Sequence, residues 1–108
     1  AMITTNEMFE LTGFQRDLLY VIASLDGAHG LGIKNEIETV YEMEVNHGRL
    51  YPNLDTLVTK GLVEKGRIDD RTNSYEITEQ GEQLIASRRQ WEDELLSEEI
   101  THKSTTES

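Results

Sequence analysis

Apolar residues recur at helical spacing in four stretches of this chain, and the period changes between the third and the fourth. Phe14, Leu18, Val21, Ile22 and Leu25 form one stripe of a helix. Thr12-Gly13-Phe14-Gln15 precedes it as a capping box, Thr12 capping and Gln15 reaching back. Asp26-Gly27 with Gly30 ends it. Ile33, Ile37, Val40 and Tyr41 make a second stripe, with Glu36, Glu38, Glu42 and Glu44 over the exposed side. Leu50, Leu54, Leu57 and Val58 make a third, with Asn46 as its N-cap. Pro52 is tolerated only in the first turns of a helix, so this one starts near residue 47 or 48. Lys60-Gly61 stops it: a cation beside the last carbonyls, then a residue able to take positive φ.

Residues 62–68 and 74–78 then read as two short strands around a polar turn, Asp69 to Asn73. Thr78 caps a last helix to about Ser97, with Leu84, Ile85, Trp91, Leu95 and Leu96 as its apolar positions. Residues 1–11 form an N-terminal extension in which Met8, Phe9 and Leu11 are anchors, and residues 101–108 a flexible polar tail. The fold class is therefore mainly α with a small β-hairpin. Three helices followed by a two-stranded wing over residues 12–78 is the order of a winged helix-turn-helix, with one further helix over 79–100.

Composition narrows the classes. At 108 residues one domain is expected. Without cysteine there is neither a disulfide nor a thiolate metal site. No run of 18 apolar residues and no secretory pattern is present, so a cytoplasmic location is expected. His29, His47 and His102 match no metal spacing, and no acid–base pair or phosphate loop stands out, so no enzyme is expected and no cofactor.

Net charge is −11, which by itself argues against binding a polyanion. Its distribution changes that picture. Residues 46–75 carry five basic groups (Arg49, Lys60, Lys65, Arg67, Arg71) against four acidic ones (Asp55, Glu64, Asp69, Asp70), a net of +1. The remainder of the chain therefore carries −12. The acidic excess fits either an ordinary solvated surface or a salty cell, in which the carboxylates hold water and bound monovalent or divalent cations.

A helix that reads the major groove needs one face locked to its domain and another offering donors to base edges and phosphates. The third stripe locks this one. Asn46, His47, Arg49, Asn53, Thr56 and Lys60 occupy its leading and opposite positions. Arg pairs bidentately with guanine and Asn with adenine. On the hairpin, Arg67, Arg71 and Asn73 are placed for phosphates or a minor groove. Asp69 and Asp70 oppose tight phosphate contact at the tip, which makes Arg71 the stronger candidate. The competing readings are a merely solvated helix face and a winged helix that binds another protein without DNA.

The run from His47 to Leu57, the turn Lys60-Gly61-Leu62-Val63 and the stretch Tyr75-Glu76-Ile77-Thr78-Glu79-Gln80-Gly81 resemble the PadR-like transcriptional regulators. That family's pattern is G-x-L-Y-P-x-L-x-x-L, then G-L-[IV], then Y-x-[IL]-T-x-x-G. With its acidic balance the chain resembles a haloarchaeal member. The resemblance implies a homodimer on double-stranded DNA, at a near-palindromic operator. It also implies that the C-terminal helix makes the dimer, for which Leu84, Trp91 and Leu95 have a seam-like spacing. The alternative for Trp91 is packing on its own domain. Many relatives have a longer C-terminal region that takes effectors, so no clear small-molecule ligand is expected here.

Overall fold

The computed structural model describes the backbone of residues 5–107 and the side chains of residues 7–97. Helix α1 (Thr5–Phe9) leads into α2 (Gly13–Ser24), a short strand β1 (Ala28–His29), α3 (Gly30–Tyr41) and α4 (His47–Thr59). Strands β2 (Val63–Asp69) and β3 (Thr72–Ile77) form the hairpin, and α5 (Glu79–Glu107) follows. The residues that start and stop these helices act as their chemistry requires. Thr12 Oγ1 accepts the Gln15 N–H at 3.1 Å and Gln15 Oε1 accepts the Thr12 N–H at 3.0 Å, closing the capping box. Asn46 Oδ1 accepts the Arg49 N–H at 2.8 Å, which starts α4 at His47 and leaves Pro52 in its second turn. At the other end Gly61 takes φ +78°. The Gly61 N–H then donates to Val58 O and the Leu62 N–H to Leu57 O, at 3.0 and 3.1 Å, satisfying carbonyls the helix leaves open.

Two elements are additions to the expected plan. β1 pairs antiparallel with β3, Ala28 opposite Tyr75 and His29 opposite Ser74, so the sheet has three strands in the order β1-β3-β2. Two residues are too few to show alternation. α1 is a helix within the expected extension. Its Met8 is fully buried, as is nearly all of Leu11 just beyond it. The hairpin is tighter than expected: Asp69 pairs with Thr72 after a bulge, which leaves only Asp70 and Arg71 to turn.

One core joins every helix to the sheet, with Leu18, Ile22, Ile33, Ile37, Leu50, Leu54, Leu57, Tyr75 and Leu84 at its centre. Val40 is not in it and is 60 % exposed. Val45 closes the core there instead, and its N–H donates to Glu38 Oε2 at 2.8 Å. That carboxylate also takes Lys34 at 2.8 Å, and the two hydrogen bonds hold it below the usual carboxylate range.

Of the three residues expected to form a seam on the last helix, Leu84 is corrected. Leu84 is wholly buried in its own domain, so it has no surface to offer a partner. Trp91 stands edge-on to Phe9, centroids 5.4 Å apart, with the Arg88 guanidinium 4.6 Å from its ring centroid. It packs on its own chain, the alternative reading. Leu95 is half exposed, with the equally exposed Leu96 beside it. The helix is assigned past Ser97 to Glu107, and the side chains of the expected tail lie outside the described residues.

Candidate nucleic-acid interface

With Leu50, Leu54 and Leu57 turned into the core, α4 has two flanks and an outer face. The outer face carries Gly48, Pro52, Asp55 and Thr59, all exposed. On the flank toward the wing, the His47 and Tyr51 rings stack with centroids 5.5 Å apart and planes 3° from parallel. The Tyr51 ring lies on Gly30, at the start of α3. A Cβ at residue 30 would stand 2.6 Å from the Tyr51 hydroxyl oxygen and 2.9 Å from Cε1, so a larger residue there would have to displace the ring.

These residues form one wall of an open cleft of about 540 Å³. His29 and Leu31 stand at its α3 end, His47 and Tyr51 on α4, and Arg71, Thr72 and Asn73 on the wing. No carboxylate lines it. His29 caps α3: its Nδ1 accepts the Gly32 N–H at 2.9 Å. In the neutral ring the proton is then on Nε2, where it is available to an acceptor in the cleft. At the wing tip Asp69 Oδ1 accepts the Arg71 N–H at 2.9 Å. This bond, with a hydrogen bond from the Thr72 side chain, holds the Asp69 carboxyl below the usual range. The carboxylate is thus engaged with the turn backbone, and the turn keeps Arg71 at its apex.

The opposite flank meets α2. The Arg49 guanidinium carbon sits 4.0 Å from the centroid of the Phe14 ring. Tyr41 also leans on Phe14, and its hydroxyl donates to Asp17 Oδ2 at 2.6 Å. Burial, then that bond to a carboxylate, pushes the Tyr41 phenol up to about 12.

The sequence-predicted contacts divide accordingly. His47, Arg71 and Asn73 come together in the cleft, and Arg49 is exposed on the other flank. Arg67 is exposed on β2, opposite Asn73 in register. Three others are employed inside the fold. Asn46 spends its oxygen on the N-cap. Asn53 uses both ends of its amide within the fold: Oδ1 accepts from Gln15 Nε2 at 2.9 Å and Nδ2 donates to Arg49 O at 2.7 Å. The Thr56 hydroxyl donates to Pro52 O at 3.1 Å. Lys60 lies at the far end of α4, in a depression with Glu7, Glu10 and Gln80, away from the cleft. His29, Leu31 and Tyr51, which also line the cleft, were not among the sequence-predicted contacts. Tyr51 carried a signal, because it stands in the motif. Lys65 reaches Asp55 at 3.4 Å from β2, an exposed pair of the kind worth at most about 1 kcal/mol.

The Transcriptional regulator PadR-like family matches residues 18–87, which span α2 to the first part of α5 and so every wall of the cleft. The chain belongs to the PadR-like family. It is a DNA-binding transcriptional regulator with a winged-helix fold. Solved structures agree with this assignment. RosR of H. salinarum, grown from NaBr, is 40 % identical over 92 % of this chain and 97 % of that one, with a TM-score of 0.74. A complex structure of hsRosR-S4 is 37 % identical over 96 % of this chain and 98 % of that one, with a TM-score of 0.78. MarR, 22 % identical over 94 % of this chain and 78 % of that one, with a TM-score of 0.58, shares the fold. No protein of curated function matches the chain. Among the described residues no helix is long and apolar enough to cross a membrane.

Most of the PadR-like motif proves architectural. Leu50, Leu54 and Leu57 fill the core, Tyr51 covers Gly30, and Gly61 turns the chain. Tyr75 is buried, and burial raises its phenol above the ordinary value.

Proposed function

We propose that this regulator binds duplex DNA as a homodimer at a near-palindromic operator. The first turns of α4 enter the major groove, and the wing lies on the backbone or in the minor groove. One observation carries the reading. In a chain of net charge −11, the cleft between α4 and the wing brings His29, His47 and Arg71 together without a carboxylate among its lining residues. Arg49, in the first turn of α4, is the side chain best suited to a guanine edge. His29, His47, Arg71 and Asn73 serve the flanking phosphates, which fix register and not sequence.

Two substitutions separate these roles. Arg49→Ala is expected to relax selectivity at one base pair of each half-site by about 1–3 kcal/mol. Arg71→Ala is expected to weaken all duplexes alike and to make the salt slope less negative by about one unit. Both are read by fluorescence anisotropy on a duplex selected by the protein from a random pool. Unchanged affinity in both variants would remove the interface from this face.

The homodimer rests on Leu95 and Leu96, two large apolar side chains left exposed side by side on α5, with Phe9, 47 % exposed, on the neighbouring α1. Replacing Leu95 and Leu96 together by Asp is expected to shift the protein to a monomer in sedimentation velocity while its helical circular dichroism is kept. An unchanged sedimentation coefficient would place the dimer contact elsewhere. The exposed carboxylates are proposed to hold cations that move with DNA binding, a reading tested by salt titration below. Glu38 is not among them, because Lys34 and the Val45 N–H already satisfy it.

A further inference from the structure

Arg49 is constrained on three sides. Asn46 Oδ1 accepts its N–H at 2.8 Å, and its carbonyl accepts from Asn53 Nδ2 at 2.7 Å. Asn53 is itself held by Gln15 Nε2 at 2.9 Å. The third constraint is the Phe14 ring, over which the guanidinium lies at 4.0 Å. Phe14 is 8 % exposed and is braced from behind by Tyr41, centroids 6.0 Å apart, whose hydroxyl is tied to Asp17. The platform is therefore fixed to α2 and α3, while Arg49 itself stays exposed on α4. The ring attracts the guanidinium as a cation over its face and supplies no oxygen or nitrogen acceptor to it. The contact consequently narrows the orientations of a long, rotamer-rich side chain without a hydrogen-bond acceptor competing for the donors that read a base.

We infer that Phe14 is a positioning residue for DNA reading: its ring presets the Arg49 guanidinium for an in-plane contact with a base edge. The inference rests on the assignment of Arg49 as a base reader and adds what aims it. It also sets Phe14 apart from the other core residues, whose loss lowers stability without touching selectivity.

The test is a double-mutant cycle on the full chain, Phe14→Leu against Arg49→Ala. Tyr at position 14 serves as the rescue, since it keeps the ring. The readout is the dissociation constant for a pool-selected duplex changed at the base pair that Arg49→Ala no longer distinguishes, divided by that for the unchanged duplex. It is taken at a temperature where circular dichroism shows every variant folded. Phe14→Leu is expected to lower that ratio by roughly three- to tenfold, in line with a cation–π contact. Phe14→Tyr is expected to restore it, and Phe14→Leu to add nothing once Arg49 is Ala. Phe14→Leu with a lowered melting temperature and an unchanged ratio overturns the inference, as does a loss that adds to that of Arg49→Ala. If Arg49→Ala itself changes no base preference, Arg49 is not a reader, and the inference falls with that assignment.

Discussion

Gly81→Ala is expected to destabilise the fold by about 3 kcal/mol or more, at the upper end for overpacking. For a domain of this size that is a fall of roughly 12–24 °C in melting temperature. A Cβ at residue 81 would collide with the Leu62 carbonyl oxygen and stand 2.7 Å from Ile77 Cγ1. The carbonyl has no freedom to yield, because it accepts the Thr78 N–H at 3.1 Å. Thr78 is held in turn: its hydroxyl donates to Gly61 O at 2.7 Å and accepts the Gly81 N–H at 3.0 Å. One corner thus ties the end of α4, the end of β3 and the start of α5. An alanine there must pull at least one of these apart, and with it the wing from the reading helix. Thermal unfolding followed by circular dichroism measures the effect. A loss below about 1 kcal/mol would mean that the corner relaxes and is not a fixed joint.

The helices were legible because their starts and stops are local. Thr12 with Gln15, Asn46, and Lys60-Gly61 each act within one turn of chain. Several departures depend on partners distant in sequence. β1 exists because β3, more than 40 residues on, completes its ladder. Asn53 has the attributes of an adenine reader, and the fold also brings it to Gln15, 38 residues away. Gln15 was legible as a cap through its Oε1, but one amide has two ends, and the other end takes Asn53. Leu84 and Leu95 stand alike in a helical stripe, yet one is the floor of the core and the other is open. The stripe gives direction around the helix and says nothing of how far along it the domain extends. Charge was legible as a distribution. What the structure adds is that the acid-free part is a cleft with two walls, and that its histidines are brought there by β1 and by the stack on Tyr51.

Operator affinity is expected to change by less than about tenfold between 0.1 and 2 M KCl. A protein that neutralises about six phosphates follows a slope near −5 on logarithmic axes, and loses roughly a millionfold or more over this range. The difference comes from the acid that shares the face with the cations. Asp55 is exposed on the outer side of α4, and Asp70 precedes Arg71 at the wing tip. DNA brought against these carboxylates requires a cation to enter with each, so cation uptake offsets the release from the duplex. At 1 M salt the Debye length is roughly 3 Å, and the rest of the acidic body no longer repels the phosphates. Two cations at Asp55 and Asp70 cannot cancel six released, so further exposed acid, such as Glu64 and Glu76 on the wing strands, must contribute as well. Neutralising Asp55 and Asp70 together, each to Asn, removes two of the sites and is expected to return about two units of negative slope while tightening binding in dilute salt. A steep negative slope in the unaltered protein would show simple counterion release. The same slope with and without Asp55 and Asp70 would show that cation uptake, if present, occurs elsewhere on the surface.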